Sequence, residues 1–146
     1  MAELRGREKR RLAARIVVVD DDESVGSAIR DVLAGEGFTV DSPGDAAAAL
    51  PELLREAPDL VILDVNMPGM SGWELCSILR RQSATETVPI LFLTGRQEVK
   101  DRITAMQLGG SDYLAKPFGA DELRRKVRAL VDEDDDDDDA PQDVKP

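Results

Sequence analysis

Short, continuous apolar runs alternate along the chain with stretches whose apolar residues recur every three or four positions. Ile16-Val17-Val18-Val19, Leu60-Val61-Ile62-Leu63 and Ile90-Leu91-Phe92-Leu93 are runs of four, which suit strands of a parallel sheet covered on both faces. Phe38-Thr39-Val40 and Asp112-Tyr113-Leu114-Ala115 are less apolar and are expected nearer the sheet edges. Between the runs, Val25, Ala28, Ile29, Val32 and Leu33 follow helical spacing and stop at Gly35 and Gly37. A second helix is expected over Asp45 to Glu56, with Pro51 as an irregularity. A third helix enters through Ser71-Gly72 and carries Leu75, Ile78 and Leu79. Val99, Ile103 and Met106 mark a fourth, closed by Gly109-Gly110, and Leu123, Val127, Leu130 and Val131 mark a fifth. Five βα units of this length predict an α/β fold, a doubly wound five-stranded parallel sheet with five helices and right-handed crossovers. Ligands of such sheets bind beyond the carboxyl ends of the strands, near the switch in strand order.

Charge divides the 146 residues into three parts. Residues 1–15 carry six Lys/Arg against two acids, and residues 132–146 carry nine acids against Lys145. The expected organisation is a basic N-terminal extension over 1–14, one domain over 15–131 and an acidic, disordered tail over 132–146. A net charge of −11 argues against a broad nucleic-acid surface. No apolar run approaches the roughly 20 residues of a membrane helix, and the start has no apolar signal-peptide stretch. A cytoplasmic protein is the expectation. The single cysteine, Cys76, cannot form an internal disulfide, and the absence of histidine excludes a Ser-His-Asp triad and a phosphohistidine of this chain.

Candidate chemistry sits where the strand rule points. The first run ends in Asp20-Asp21-Asp22, the third strand in Asp64 and the fourth in Thr94-Gly95, and Lys116-Pro117 follows the fifth. Singly these are ordinary residues. Asp22 reads as a helix N-cap, Asp64 equally as a turn residue, Thr94 as a cap and Lys116 as a surface charge. Together, parallel strands would bring them to one edge. Clustered carboxylates repel and call for a cation, and a hard oxygen site with few protein ligands suits Mg2+. An ionised Asp64 there could attack a phosphoryl group, whose charge the metal, Thr94 and Lys116 could neutralise.

IVVVDDDESV, DLVILDVNMPGMSGWEL, PILFLTG and YLAKPF resemble the receiver domains of two-component response regulators over about residues 15–131. The spacings of 30 positions from Asp64 to Thr94 and 22 from Thr94 to Lys116 also match. The resemblance implies a flavodoxin-like, CheY-like (βα)5 fold. Asp64 matches the phosphoacceptor, and Asp20 and Asp21 match the acidic pair that holds Mg2+, completed by Asp64 and the backbone carbonyl of Asn66. Thr94 matches the switch hydroxyl, Lys116 the lysine on the phosphoryl group, Pro117 a proline preceded by a cis bond, and Tyr113 the switch aromatic. Arg96 would face the rim of the site and tune the acyl-phosphate lifetime, and Met67 to Gly72 would shape that rim. Trp73 and Cys76 are expected to be packing residues. Haloacid-dehalogenase-like phosphatases place a second carboxylate two positions after the nucleophile, where this chain has Asn66.

The function so implied is a signalling switch, not a turnover enzyme. It would take a phosphoryl group from a sensor histidine kinase or phosphotransfer protein onto Asp64 and later hydrolyse it. Its helix 4–strand 5–helix 5 surface would signal to a downstream protein. Neither membrane nor direct nucleic-acid binding is expected, and the oligomeric state would be a monomer or a phosphorylation-linked dimer. A docking module that keeps the fold without phosphorylation is the alternative.

Overall fold

A computed structural model describes residues 14–95 and 99–132. Arg96, the chain before Ala14 and the acidic run beyond Asp132 lie outside the described residues. The elements alternate as β1 (Arg15–Val19), α1 (Glu23–Ala34), β2 (Thr39–Asp41), α2 (Ala46–Arg55), β3 (Leu60–Asp64), α3 (Gly72–Arg80), β4 (Ile90–Thr94), α4 (Val99–Gln107), β5 (Asp112–Ala115) and α5 (Ala120–Asp132). The strands form one parallel sheet in the order β2-β1-β3-β4-β5. The two less apolar strands are the edges, as their composition predicts, and the switch in winding falls between β1 and β3. This is the flavodoxin-like arrangement expected from the alternating periodicity.

Residues alternate between the two faces of the central strands, so each apolar run feeds two cores. Val17, Val19, Val61, Leu63, Ile90 and Phe92 pack under α2, α3 and α4. Ile16, Val18, Leu60, Ile62, Leu91 and Leu93 pack under α1 and α5. Three helix starts are fixed by side-chain caps: Asp22 for α1, Asp45 for α2, and a Ser71–Glu74 capping box for α3. Asp22 therefore has the N-cap role that its position suggested. Helix α2 runs through Pro51.

Ala14 is buried and its carbonyl accepts from Thr39, while Arg15 starts β1 and its guanidinium reaches Asp41 and the Glu56 carbonyl. Asp132 closes α5. Trp73 packs on Phe92 with ring centroids 4.7 Å apart and Cys76 is buried, so both are packing residues. In α4 the helix forms where the spacing places it, but Ile103 and Met106 are 51% and 53% exposed. Among the described side chains of this helix Ala105 is the buried one, with Leu108 half-buried just beyond its end.

Candidate phosphoryl-transfer site at the strand carboxyl ends

The ends of β1, β3, β4 and β5 bring Asp20, Asp64, Thr94 and Lys116 to one edge of the sheet. Asp20, Asp64 and Thr94 are almost fully buried, at 1%, 4% and 2% exposure, and Asp21 is exposed beside them. Carboxylate oxygens of Asp20, Asp21 and Asp64 lie within 4.8 Å of one another. Lys116 Nζ bridges the two buried acids, 3.0 Å from Asp20 Oδ2 and 3.4 Å from Asp64 Oδ1. The Lys116–Pro117 bond is cis.

Backbone amides orient the carboxylates. The Asp22 amide donates to Asp20 Oδ1 at 2.9 Å, and the Asn66 amide donates weakly to Asp64 Oδ1 at 3.4 Å. Asp20 Oδ2 is buried and has the Lys116 charge beside it but no hydrogen-bond donor of good geometry. A buried, incompletely satisfied carboxylate oxygen next to two further carboxylates is the donor set a hard divalent cation fits. Side chains of Asn66 and Asp21 are exposed, as an open, partly hydrated site requires.

The electrostatics follow from burial. Desolvation first, and then the negative charge of Asp20, raise the Asp64 pKa above the ordinary carboxylate value; Lys116 and the Asn66 amide pull it down by less. Desolvation lowers the Lys116 pKa, but the two carboxylates together outweigh it and leave it raised. Exposed Asp22 has its pKa lowered, first by its hydrogen bonds from Ser24 and least by the Lys116 charge.

Strand alternation separates two roles. Asp64 continues the parity of Leu60 and Ile62, toward α1 and α5, whereas Thr94 continues that of Phe92, toward α3 and α4. Tyr113 pairs with Phe92 across the β4–β5 ladder and packs on the same core. Its hydroxyl accepts from Arg102 at 2.9 Å, and its ring lies 5.5 Å from both the Arg102 and Lys126 charges. Thr94 thus belongs at once to the acidic edge and to the face that carries Tyr113.

The rim differs in part from expectation. Met67 is buried and Met70 half-buried in the core under α2–α4, so only Pro68 and Gly69 of that loop are exposed. Two features were not singled out from the sequence. A Cβ on Gly72 would meet the Asp64 carbonyl oxygen at 2.2 Å, so glycine lets α3 start directly against the Asp64 backbone. An apolar groove of about 450 Å³ adjoins Lys116, lined by Ser24, Val25, Ala28, Pro117 and Phe118. Its signal was present as surplus width in the α1 apolar stripe: Ile29 and Leu33 are buried, while Ala28 remains exposed.

A 2-1-3-4-5 parallel sheet with acids and a lysine gathered at its switch point defines a class of flavodoxin-like signalling domain. The chain belongs to the response regulator receiver domain family, whose profile matches residues 16–128. It is 41% identical over 120 residues to the response regulator MprA of Mycobacterium ulcerans, covering 82% of this chain and 51% of that protein. It is 42% identical over 128 residues to the alkaline phosphatase synthesis transcriptional regulatory protein SphR of Synechococcus elongatus, covering 82% and 49%. The chain thus spans about half the length of these curated relatives. The fold matches the receiver domain of a sensor histidine kinase from Pseudomonas aeruginosa with a TM-score of 0.75 and 29% identity, covering 82% of this chain and 98% of that one. That structure has a magnesium ion coordinated in its active-site cleft. Accepting a phosphoryl group is the general function of the family. Among the described residues, no helix is long and apolar enough to cross a membrane.

Proposed function

We propose that Asp64 is the phosphoacceptor of this receiver domain. The observation that carries the reading is the bridging of Asp20 and Asp64 by Lys116 beside a third carboxylate, Asp21. An Asp64 oxygen attacks phosphorus of a donor phosphohistidine, the phosphorus–nitrogen bond breaks, and an acyl phosphate forms on Asp64. Lys116 exchanges a carboxylate partner for a phosphoryl oxygen, and the Thr94 hydroxyl donates to another. Asp20, Asp21, Asp64 and the Asn66 carbonyl would hold Mg2+, which supplies charge neutralisation for the phosphoryl oxygens. Hydrolysis of the acyl phosphate resets the switch.

The donor is a phosphohistidine of a sensor histidine kinase or phosphotransfer protein; residues 1–146 themselves contain no histidine. The apolar groove beside Lys116 is the surface such a donor would cover while its phosphohistidine reaches Asp64. Output runs through α4, β5 and α5: Thr94 drawn toward the phosphoryl group leaves room on the Phe92 face, into which Tyr113 turns, giving up the Arg102 bond. The expectation against direct nucleic-acid contact applies to this acidic receiver fold. It does not extend to the further length of relatives, of which SphR is named a transcriptional regulator. Incubating the full chain with Mg2+ and a radiolabelled phospho-kinase should label native protein and leave Asp64→Asn unlabelled. Equal labelling of both would refute Asp64.

A further inference from the structure

The C-terminal end of helix α4 is fastened by bonds from two neighbouring elements. Among its described side chains, Ala105 is the buried apolar residue, while Ile103 and Met106 are exposed. Its C-terminal joint, by contrast, is bonded from two sides. From α3, Arg80 donates to the Gly109 carbonyl through Nε at 2.9 Å and through its Nη2 at 2.7 Å. The same guanidinium donates to the Thr85 and Glu86 carbonyls, each at 3.2 Å, and Cys76 Sγ reaches the Leu108 carbonyl at 3.3 Å. From β4, Ser111 pairs with Ile90 through its amide (2.8 Å) and accepts the Ile90 amide on its hydroxyl (3.1 Å).

Half-buried, Arg80 pairs with no carboxylate among the described residues, and all its partners are carbonyl oxygens. The last turn of α4 contains no basic residue, so Arg80 supplies from α3 the cation that a helix C-terminus favours. Gly109, at φ +100, lies under the stem of Arg80, whose atoms would sit 2.9–3.2 Å from an added Cβ. Joint and clamp are fitted to each other. Toward the other end, the exposed Arg102–Tyr113 bond is the side-chain tether of α4 among the described residues.

We infer that Arg80 is a positioning residue of the switch: it clamps the C-terminal joint of α4 to α3, so that α4 turns as a lever about Leu108–Gly110. Release of Arg102 by Tyr113 then swings the half of α4 that presents Ile103, while the joint stays fixed. The lever rests on the reading of Asp64 and Tyr113 given above.

The test is amide hydrogen exchange of the full chain, with and without Mg2+ and beryllofluoride, a phosphoryl mimic. In native protein, beryllofluoride should change exchange at Arg102–Thr104 and leave Leu108–Ser111 unchanged. Arg80→Ala should speed exchange at Leu108–Ser111 by roughly tenfold and spread the beryllofluoride response across the whole helix. Arg80→Lys, which keeps the charge without the fork of donors, should fall between the two. A native response as large at Leu108–Ser111 as at Arg102–Thr104 would overturn the lever. So would unchanged exchange at the joint in both Arg80 variants. If Arg80→Ala does not fold, the native profile and Arg80→Lys decide. Absence of any native response to beryllofluoride would overturn the Asp64 reading itself, a result distinct from a response that is present but uniform.

Discussion

Asp64 is held in the folded chain at a cost that its own mutation would reveal. Burial and the neighbouring Asp20 raise its pKa, so the folded state binds that proton more readily than the unfolded state does. For a carboxyl of this kind, stability is fully present below the unfolded pKa and is lost as pH rises through the folded one. Asp64→Asn stays neutral throughout. Without Mg2+, the variant should match native protein in acid and gain a few degrees in Tm toward neutrality, since about 1 kcal/mol corresponds to roughly 4 °C in a domain of this size. Thermal melts across pH check this, and an equal or lower Tm at neutral pH would contradict it. The acids and Lys116 were legible in the sequence because parallel strands must end somewhere, and polar residues immediately after buried apolar runs lie at that edge. The competition among them was not. It depends on Lys116 lying 3.0 Å from Asp20 across two intervening strands, which no local pattern encodes.

At the scale of elements, periodicity located each of the described helices but did not say what each would touch. The spacing of Ile103 and Met106 is helical, yet it points them outward, because an apolar residue reserved for a partner obeys the same period as one reserved for the core. Ser71-Gly72 reads locally as a helix entry. Only the tertiary approach of the Asp64 carbonyl makes Gly72 irreplaceable. Gly72→Ala should therefore destabilise the domain by about 3 kcal/mol or more in urea denaturation, because backbone rather than a flexible side chain blocks the new methyl group. An ordinary alanine-for-glycine gain would refute this close approach. On α1, the exposed Ala28 lies in the groove beside Lys116. Ala28→Arg should slow phosphotransfer from a histidine kinase by roughly tenfold, equivalent to about 1.4 kcal/mol. It should leave phosphorylation by a small acyl phosphate unchanged. Equal slowing with both donors would place the defect in the site rather than in docking.

For the whole molecule, the sheet order turns separate carboxylates into one charge cluster, and the helices on either face give it two outlets. Asp64 faces the α1–α5 core and Thr94 the core that holds Tyr113, so in the proposed switch an event at one edge would reach the α4–β5–α5 face through β4. Binding a cation to the folded state alone raises stability by mass action, about 2.7 kcal/mol at 100 times Kd. Removing Mg2+ with a chelator should therefore lower the Tm of the native chain, and the effect should be absent from Asp20→Asn with Asp64→Asn. A chelator-insensitive native Tm would count against the metal site. Whether Asp64 is the phosphoacceptor is measured by mass spectrometry of the full chain after incubation with Mg2+ and a small acyl phosphate, followed by peptide mapping. Native protein should gain one phosphoryl group, located on Asp64 and lost in Asp64→Asn. A phosphoryl group on any other residue, or none on native protein under conditions where a known receiver domain is labelled, would contradict it.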